Sequence, residues 1–241
     1  SLLQVEALEA RHGLLQAVRG ISLDVEEGQR LALVGANGSG KTTLLRTIAG
    51  IHPAAGGKVL FDGRDVTQEP AHKRSALGIA LVPEGRRLFS TMSVADNLRV
   101  AQAAGRAGPW NFDTVVEAFP QLKPKLKAAA GSLSGGQQQA VAIGRALMTN
   151  PRVLLLDEVS LGLSPVAVPG VYDPLQALMA TKTTLVLVEQ DLKRTFEVAD
   201  RIVCVLEGRV VASGRPSEMT REEVMDHYFG HRRNAPAGEH A

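Results

Sequence analysis

The chain has 241 residues, of which 44% are hydrophobic and 22% charged, a balance typical of one large globular α/β domain. Its 27 basic and 25 acidic residues leave a net charge of +2, which argues against a nucleic-acid binder. The alternative is a local basic patch that the overall charge balance does not reveal. The single cysteine, Cys204, excludes an internal disulfide framework and favours a reducing compartment.

The sequence contains no apolar run close to the roughly 18–20 residues that a membrane-spanning helix requires. Its first residues lack a basic segment followed by an apolar stretch, so we expect no secretory signal peptide. These features favour a cytoplasmic protein. Any function at a membrane would then be that of a peripheral subunit.

Alternating and continuous apolar runs predict a β-rich N-terminal region that contains one helix. The strands predicted up to Pro83 lie at 3–7, 21–25, 31–34, 58–61 and 79–82. The run at 31–34 is apolar throughout, which is typical of a strand buried on both faces. A glycine-rich turn follows it, and the composition then predicts a helix from 41 to about 49 that ends at Gly50.

Helix-forming residues dominate from about 90 to 150, which predicts a helical subdomain inserted in the α/β frame. Strands and helices then alternate, with strands at 153–156, 184–188, 202–206 and 210–212 and helices at about 166–179 and 192–198. This alternation predicts a mostly parallel sheet with helices on both faces. Residues 231–241 have no apolar pattern and are expected to form a disordered tail.

A phosphate-binding loop is predicted between the strand at 31–34 and the following helix. The sequence matches G-x-x-x-x-G-K-[ST] in full, with the buried strand before it and the helix after it, which makes a chance match improbable. Glycines allow backbone N–H groups to surround an anion, and the helix N-terminus adds partial positive charge. The candidate nucleotide-binding residues here are Gly35, Ala36, Asn37, Gly38, Ser39, Gly40, Lys41, Thr42 and Thr43. Lys41 would contact the β- and γ-phosphates, and the Thr42 hydroxyl would bind Mg²⁺.

Two carboxylates follow the buried strand predicted at 153–156. Ligands of open α/β sheets gather at the carboxyl ends of the strands, so Asp157 and Glu158 should face the phosphate loop. Asp157 is placed to hold Mg²⁺, directly or through water, and Glu158 to act as general base toward the attacking water. An ordinary acidic turn is the alternative, which the phosphate loop makes improbable.

The segment Leu133-Ser134-Gly135-Gly136-Gln137 precedes an amphipathic run. Ser134 and Gln137 have the spacing of a capping box, so a helix should begin here. A simple helix cap is one interpretation of this segment. It also resembles the signature motif of ABC ATPases, and the resemblance extends over residues 3 to about 229.

The resemblance implies an ATPase that binds ATP and Mg²⁺, with a P-loop NTPase fold of the ABC ATPase type. This fold has a mostly parallel core sheet, an antiparallel β subdomain and an inserted helical subdomain within one domain, 1–230. It also implies a head-to-tail dimer with a second ABC ATPase subunit, identical or different. Ser134, Gly136 and Gln137 would contact the γ-phosphate in the partner's site, and residues 160–163 would form the D-loop. Permease subunits in the cell membrane are the implied further partners, with the chain peripheral on the inner face.

Four positions depart from the commonest pattern of that family. Glu84, a candidate nucleotide- and Mg²⁺-binding residue, replaces the glutamine of a loop that normally contacts Mg²⁺ and faces the membrane subunits. Gln190 replaces the switch histidine near the γ-phosphate. Gln190 can donate a hydrogen bond but cannot carry a proton. His12 replaces the aromatic residue that stacks on adenine. Val159 replaces the proline after Glu158 and restores a backbone N–H.

The segments Val-Pro-Glu-Gly-Arg-Arg at 82–87, Val-Glu-Gln at 188–190 and Ser-Leu-Gly-Leu-Ser-Pro at 160–165 resemble one ATPase subunit of branched-chain amino acid importers. Importers of urea, amides or other amino acids are the near alternatives. Two other classes are a nucleic-acid-associated ABC ATPase and a regulatory module that binds ATP with weak hydrolysis of its own. The first usually has long insertions or zinc sites, which this sequence lacks. Glu84 and Gln190 motivate the second, against which the intact Lys41, Asp157 and Glu158 argue.

Overall fold

The computed structural model describes residues 1–103, 105–178 and 183–229. These residues form two sheets, a six-stranded one of order β10-β9-β3-β8-β7-β6 and a four-stranded one of order β2-β1-β4-β5. The predicted tail 231–241 and the expected helix end at Met179 lie outside the described residues. No helix in the described ranges has both the length and the apolarity to cross a membrane.

The six-stranded sheet is the core of the molecule. Its strands are β3 (Arg30–Val34), β6 (Ile79–Val82), β7 (Val153–Asp157), β8 (Thr184–Val188), β9 (Arg201–Leu206) and β10 (Arg209–Gly214). All neighbouring pairs are parallel except β9 with β10, which are antiparallel. Every residue of β7 and of β8 is buried, as the continuous apolar runs predict.

The four-stranded sheet is antiparallel and packs its apolar residues against α1 and the central strands. Its strands are β1 (Leu3–His12), β2 (Leu15–Val25), β4 (Gly56–Phe61) and β5 (Arg64–Asp65). Two apolar clusters of buried residues result. One joins this sheet to one face of the core sheet, and the other joins the opposite face to the helices.

The helices follow the predicted order with some differences. They are α1 (Lys41–Ile48), α2 (Ala71–Leu77), α3 (Val94–Gln102), α4 (Phe112–Ala118), α5 (Gly135–Leu147), α6 (Pro169–Ala177), α7 (Leu192–Val198) and α8 (Arg221–Phe229). Two 3-10 turns lie at Pro120–Lys125 and Ala130–Ser132. The elements α3 to α5 occupy the region predicted as a helical subdomain, and its division from the rest of the domain stays a prediction.

Three elements show where the pattern was insufficient or misleading. Helix α6 begins at Pro169 rather than near 166, because proline favours the first helical turn and disfavours helical geometry in the residue before it. Helix α2 was not predicted, since seven residues give no clear periodicity. Helix α8 was not predicted either, and of its described side chains Val224 alone is fully buried.

Arg74 of α2 joins this helix to the end of α1. Its buried guanidinium donates to the carbonyls of Thr47 and Ile48, both at 2.8 Å, in the last turn of α1. It also donates to the carbonyls of Thr67 at 2.7 Å and Glu69 at 2.8 Å. Carbonyls of a last helical turn have no partner within the helix. The Gly50 N–H also donates to the Thr47 carbonyl at 3.1 Å, whereas Arg74 is the donor found for the Ile48 carbonyl in the described residues.

Arg74→Met should lower the free energy of unfolding by about 3 kcal/mol, because it leaves several buried carbonyls without a donor. Lys73→Met is the matched control, since Lys73 lies on the same helix with its side chain 60% exposed in a surface ion pair. We expect a change within about 0.5 kcal/mol for this control. Urea unfolding followed by circular dichroism measures both values, and equal midpoints for the two variants would contradict the role given to Arg74.

Candidate functional site

The loop after β3 has the geometry of an anion-binding loop. A Cβ at Gly35 would lie 2.1 Å from the carbonyl oxygen of Val205, and a Cβ at Gly40 would lie 2.3 Å from that of Ala17. These two positions therefore accept glycine alone. The loop leads directly into α1, whose first-turn N–H groups have no acceptor within the helix and carry its partial positive charge.

Lys41 is held inside the loop by acceptors of the loop itself. Its Nζ donates to the carbonyls of Gly35 at 2.6 Å and Ala36 at 2.9 Å and to Ser39 Oγ at 3.2 Å. Burial lowers the pKa of the ammonium group, against the opposing effect of the Glu158 and Asp157 carboxylates. The loop thus holds a buried cation at the place where the sequence predicts phosphate binding.

Thr42 and Asp157 meet, as the predicted magnesium site requires. The Thr42 hydroxyl donates to Asp157 at 3.1 Å, and Asp157 is only 1% exposed at the end of β7. The pKa of Asp157 is raised to about 6, chiefly by burial and also by the carboxylates of Glu158 and Glu84, while the Thr42 hydrogen bond lowers it. A cation here would offset the charge of these acids.

The donor set fits Mg²⁺, because the hydroxyl and carboxylate oxygens of Thr42, Asp157 and Glu84 are the kind of ligand this ion prefers. Across 1–103, 105–178 and 183–229, no group of three or more His, Cys, Asp or Glu side chains could hold a metal by itself. The protein therefore supplies only part of a coordination shell. Phosphate oxygens and water would have to complete it, as is usual for Mg²⁺.

A cavity of about 430 Å³ opens beside Thr42 and Asp157. It is lined by Thr42, Arg46, Ile51, Leu81, Pro83, Glu84, Gly85, Arg87, Arg145 and Asp157. The exposed Glu84 lies in this lining, so the structure brings the three predicted metal-site residues together.

Glu158 follows Asp157 in a left-handed backbone conformation, with φ at 48°. Non-glycine residues seldom adopt this region, and it is a form of strain that often occurs at functional sites. The Glu158 N–H donates to the carbonyl of Val188 at 3.1 Å, which fixes the turn against β8. The Val159 side chain is buried, and within the described chain its extra N–H donates no recorded hydrogen bond.

Gln190 reaches the phosphate loop. Its Nε2 donates to Asn37 Oδ1 at 2.9 Å. The residue at the switch position is therefore hydrogen-bonded to the phosphate loop, through an amide that cannot take up or release a proton.

His12 lies at the end of β1, beside the start of α1. Its Nε2 is 3.0 Å from Thr43 Oγ1, and its ring centroid is 4.6 Å from that of His52 with a tilt of 49°. The His52 Nε2 donates to the carbonyl of Arg11 at 3.0 Å. Sequence analysis did not single out His52, because no motif contains it. An aromatic pair therefore stands where a single ring was expected.

The signature segment forms the predicted helix cap. Ser134 Oγ accepts from the Gln137 N–H at 3.3 Å, and Gln137 Oε1 accepts from the Ser134 N–H at 3.1 Å, a complete capping box on α5. A Cβ at Gly136 would lie 2.9 Å from Cβ of Ala167. None of the hydrogen bonds found in the described residues joins these three residues to the phosphate loop.

Glu189 is the residue that sequence analysis passed over. It follows β8, whose residues are all buried, much as Asp157 ends the buried strand β7, and it is only 2% exposed. That repeated pattern of a buried strand ending in an acid was the available signal. The side chain lies among the loops that carry Ser160 and Gln190.

A parallel core sheet with a glycine-rich loop between strand and helix and a Thr–Asp pair at its carboxyl edge defines a P-loop nucleotide-binding protein. Residues 18–160 match the ABC transporter family. The chain belongs to the ABC transporter family, and the ABC ATPase fold and ATPase class expected from the sequence are confirmed.

Relatives of nearly the same length support this assignment. The high-affinity branched-chain amino acid transport ATP-binding protein BraG of Pseudomonas aeruginosa is 37% identical, over 95% of this chain and 100% of the relative. The probable branched-chain amino acid transport ATP-binding protein LivF of Archaeoglobus fulgidus is 34% identical, over 93% of this chain and 97% of the relative. A nucleotide-free ATP-binding cassette from an ABC transporter superposes with a TM-score of 0.81 at 27% identity, covering 95% of each chain.

Lys41→Ala should weaken ATP binding by roughly 10-fold to 100-fold, because it removes a charge-assisted hydrogen bond to phosphate. Isothermal titration calorimetry with ATP measures the change. Lys58→Ala is the control, since Lys58 is an exposed lysine on β4, outside the loop. Equal affinities for the wild type and Lys41→Ala would contradict the assignment of the phosphate loop.

Proposed function

We propose that the chain is the ATP-hydrolysing subunit of an ABC importer and energises the uptake of branched-chain amino acids. The observation that carries the ATPase part is the contact between Thr42 and Asp157 at 3.1 Å. It brings the phosphate loop and the carboxyl end of β7 together, with Glu158 as the next residue.

Each site residue has a role that its position supports. The loop amides and Lys41 bind the phosphates, and Lys41 exchanges its loop carbonyl acceptors for phosphate oxygens. Thr42, Asp157 and Glu84 would hold Mg²⁺, which would neutralise charge at the phosphates. Glu158 accepts a proton from the attacking water. Gln190 donates a hydrogen bond toward the γ-phosphate from its position beside Asn37.

The nucleobase would lie against His12, at the edge of the same loop. An imidazole offers a smaller stacking face than tyrosine, and the His52 ring packs against that of His12 at 4.6 Å between centroids with a tilt of 49°. The bond from His12 to Thr43 links this platform to the start of α1, close to the phosphate-binding residues.

The signature residues Ser134, Gly136 and Gln137 act on the nucleotide of a second ABC ATPase subunit. Within the described residues, no hydrogen bond joins them to their own phosphate loop. The capping box uses the N–H groups of Ser134 and Gln137, which leaves those of Gly135 and Gly136 for an external anion. A head-to-tail pair, of identical or different subunits, would supply that anion as bound ATP.

The surface for the permease is a groove of about 400 Å³ beside the cavity at Glu84. Its lining includes the half-exposed Ile51, Phe89 and Val100 together with Arg86, Arg87 and Arg145. Exposed apolar side chains rimmed by charge mark a protein contact site. This contact would place the chain on the inner face of the membrane.

The cargo assignment rests on the relatives. Those named for branched-chain amino acid transport match over nearly their whole length, whereas a xylose and an α-glucoside relative are covered over 44% and 60%. Urea, amides and other amino acids are the alternative cargoes. A second candidate function is that of a regulatory subunit, which binds ATP as one half of the dimer and hydrolyses it weakly. The observation that favours it is the hydrogen bond from Gln190 to Asn37, because Gln190 cannot carry a proton.

Glu158→Gln should lower kcat by about 100-fold or more, because the amide cannot accept the water proton, while ATP binding persists. Phosphate release measured over a range of protein concentrations tests this, and gel filtration should show an ATP-bound dimer. Glu207→Gln is a matched control, as Glu207 has the same φ of 48° and is exposed. If Glu158→Gln hydrolyses ATP at the wild-type rate, the general-base role of Glu158 is wrong. If the wild type binds ATP but does not hydrolyse it, the regulatory function is favoured instead.

Reconstitution with its own membrane subunits in proteoliposomes tests the cargo. ATP should drive the uptake of radiolabelled leucine, and unlabelled valine and isoleucine should compete, because the three side chains have similar apolar surfaces. A permease complex containing the Glu158→Gln chain is the control for ATP dependence. Competition by urea alone, with no effect of valine, would refute the branched-chain assignment.

A further inference from the structure

We infer that Glu189 is a positioning residue that ties the D-loop, residues 160–163, to the loop that carries Gln190. The inference rests on the proposed ATPase function and assigns a role to a buried acid outside the catalytic set. It joins the two loops through a single carboxylate.

Four donors converge on the Glu189 carboxylate, which is only 2% exposed. The Ser160 hydroxyl lies 2.8 Å and 2.9 Å from its two oxygens. The backbone N–H groups of Gln190 and Asp191 donate to Oε1 at 3.0 Å and 3.2 Å. The Tyr172 hydroxyl donates to Oε2.

The donors come from three separate parts of the chain. Ser160 belongs to the D-loop, Gln190 and Asp191 to the loop after β8, and Tyr172 to α6. A buried carboxylate is costly unless it is hydrogen-bonded, so removing its charge or one donor changes how the others are placed. The carboxylate thus holds three segments at fixed positions.

The environment of Tyr172 in α6 keeps its hydroxyl as a hydrogen-bond donor to Glu189. Burial raises the pKa of Tyr172, and the Glu189 carboxylate raises it further, so the phenol stays protonated as a donor. The guanidinium of Arg194 in α7 lies 4.6 Å from the centre of the Tyr172 ring, and its Nε is 3.9 Å from Asp191 Oδ2. The Arg194 cation therefore lies against the Tyr172 ring, and no ion pair within the described residues joins it to Glu189.

Glu189 lies between two loops that the proposed ATPase function uses, the D-loop and the loop that carries Gln190. Ser160 lies two residues after Glu158, and Gln190 contacts Asn37 of the phosphate loop at 2.9 Å. A continuous path thus runs from Asn37 through Gln190 and Glu189 to Ser160. Events at the phosphate loop and the setting of the D-loop beside the general base become mechanically linked.

Glu189→Gln replaces one acceptor oxygen by an N–H₂ group, and Ser160→Ala removes the D-loop donor. We expect each to lower kcat about 10-fold while KM for ATP stays within about twofold, since neither residue touches the phosphates. The double variant should be no slower than the slower single variant, because both changes weaken the same link between Glu189 and Ser160. Exposed Glu197 and Ser164 provide the controls, Glu197→Gln and Ser164→Ala, which should hydrolyse ATP normally.

Hydrogen exchange of the peptide 158–163 supplies a readout independent of turnover. Exchange there should be faster in Glu189→Gln and in Tyr172→Phe than in the wild type, with no change in Glu197→Gln. If Glu189→Gln does not fold, Tyr172→Phe carries the same test with one donor removed. Unchanged kcat together with unchanged exchange would overturn the inference, as would a KM effect without a kcat effect. An inactive wild type with faster exchange in the variants would instead refute the proposed function and leave the tie between the loops standing.

Discussion

The parallel pairing of β3, β8 and β7 is the constraint on which the site depends. Leu33 of β3 and Asp157 of β7 both align with Val188 of β8. The three strands therefore end at one level, and the phosphate loop, Glu189 and Glu158 leave the sheet side by side. A shift of the register by one residue would turn Asp157 to the other face of the sheet and separate it from Thr42. The continuous apolar runs that bury these strands thus also set the geometry of the chemistry.

Two buried acids at this edge are stabilised in different ways. Glu189 is surrounded by protein donors and has its hydrogen bonds satisfied within the chain. Asp157 receives one hydroxyl bond, and its pKa is raised to about 6 by burial and neighbouring carboxylates. A group that the protein leaves incompletely compensated is suited to a ligand that arrives from outside. Glu189 is thus compensated by the protein itself, whereas Asp157, the proposed Mg²⁺ ligand, is compensated only in part.

The elements predicted well are those in which local pattern and burial agree. The strands at 79–82 and 184–188 and the helix at 192–198 have the expected bounds, because each has a clear apolar run or cap. The contact of Thr42 with Asp157 followed from strand ends and motif spacing. Helix α2 depends on Arg74 reaching the carbonyls of α1, a tertiary contact that no local pattern reveals. The contact between His12 and His52 could not be predicted for the same reason. The two residues have 39 residues between them in the sequence, and only the fold brings their ring centroids to 4.6 Å.

The departures from the common family pattern can be understood together at this edge of the sheet. Gln190, at the position expected for the switch histidine, donates to Asn37 and is thereby linked to the phosphate loop, although its amide cannot carry a proton. Glu84 adds a carboxylate beside Asp157 and increases the demand for a cation in the cavity. Under the proposed function Glu158 accepts the proton from water, and its backbone has a left-handed conformation in which its N–H donates to the Val188 carbonyl. Under the proposed ATPase function, the placement of Glu158 depends on the segment that follows it, in which Ser160 bonds to Glu189 and the Leu161 N–H donates to the Glu158 carbonyl at 3.1 Å.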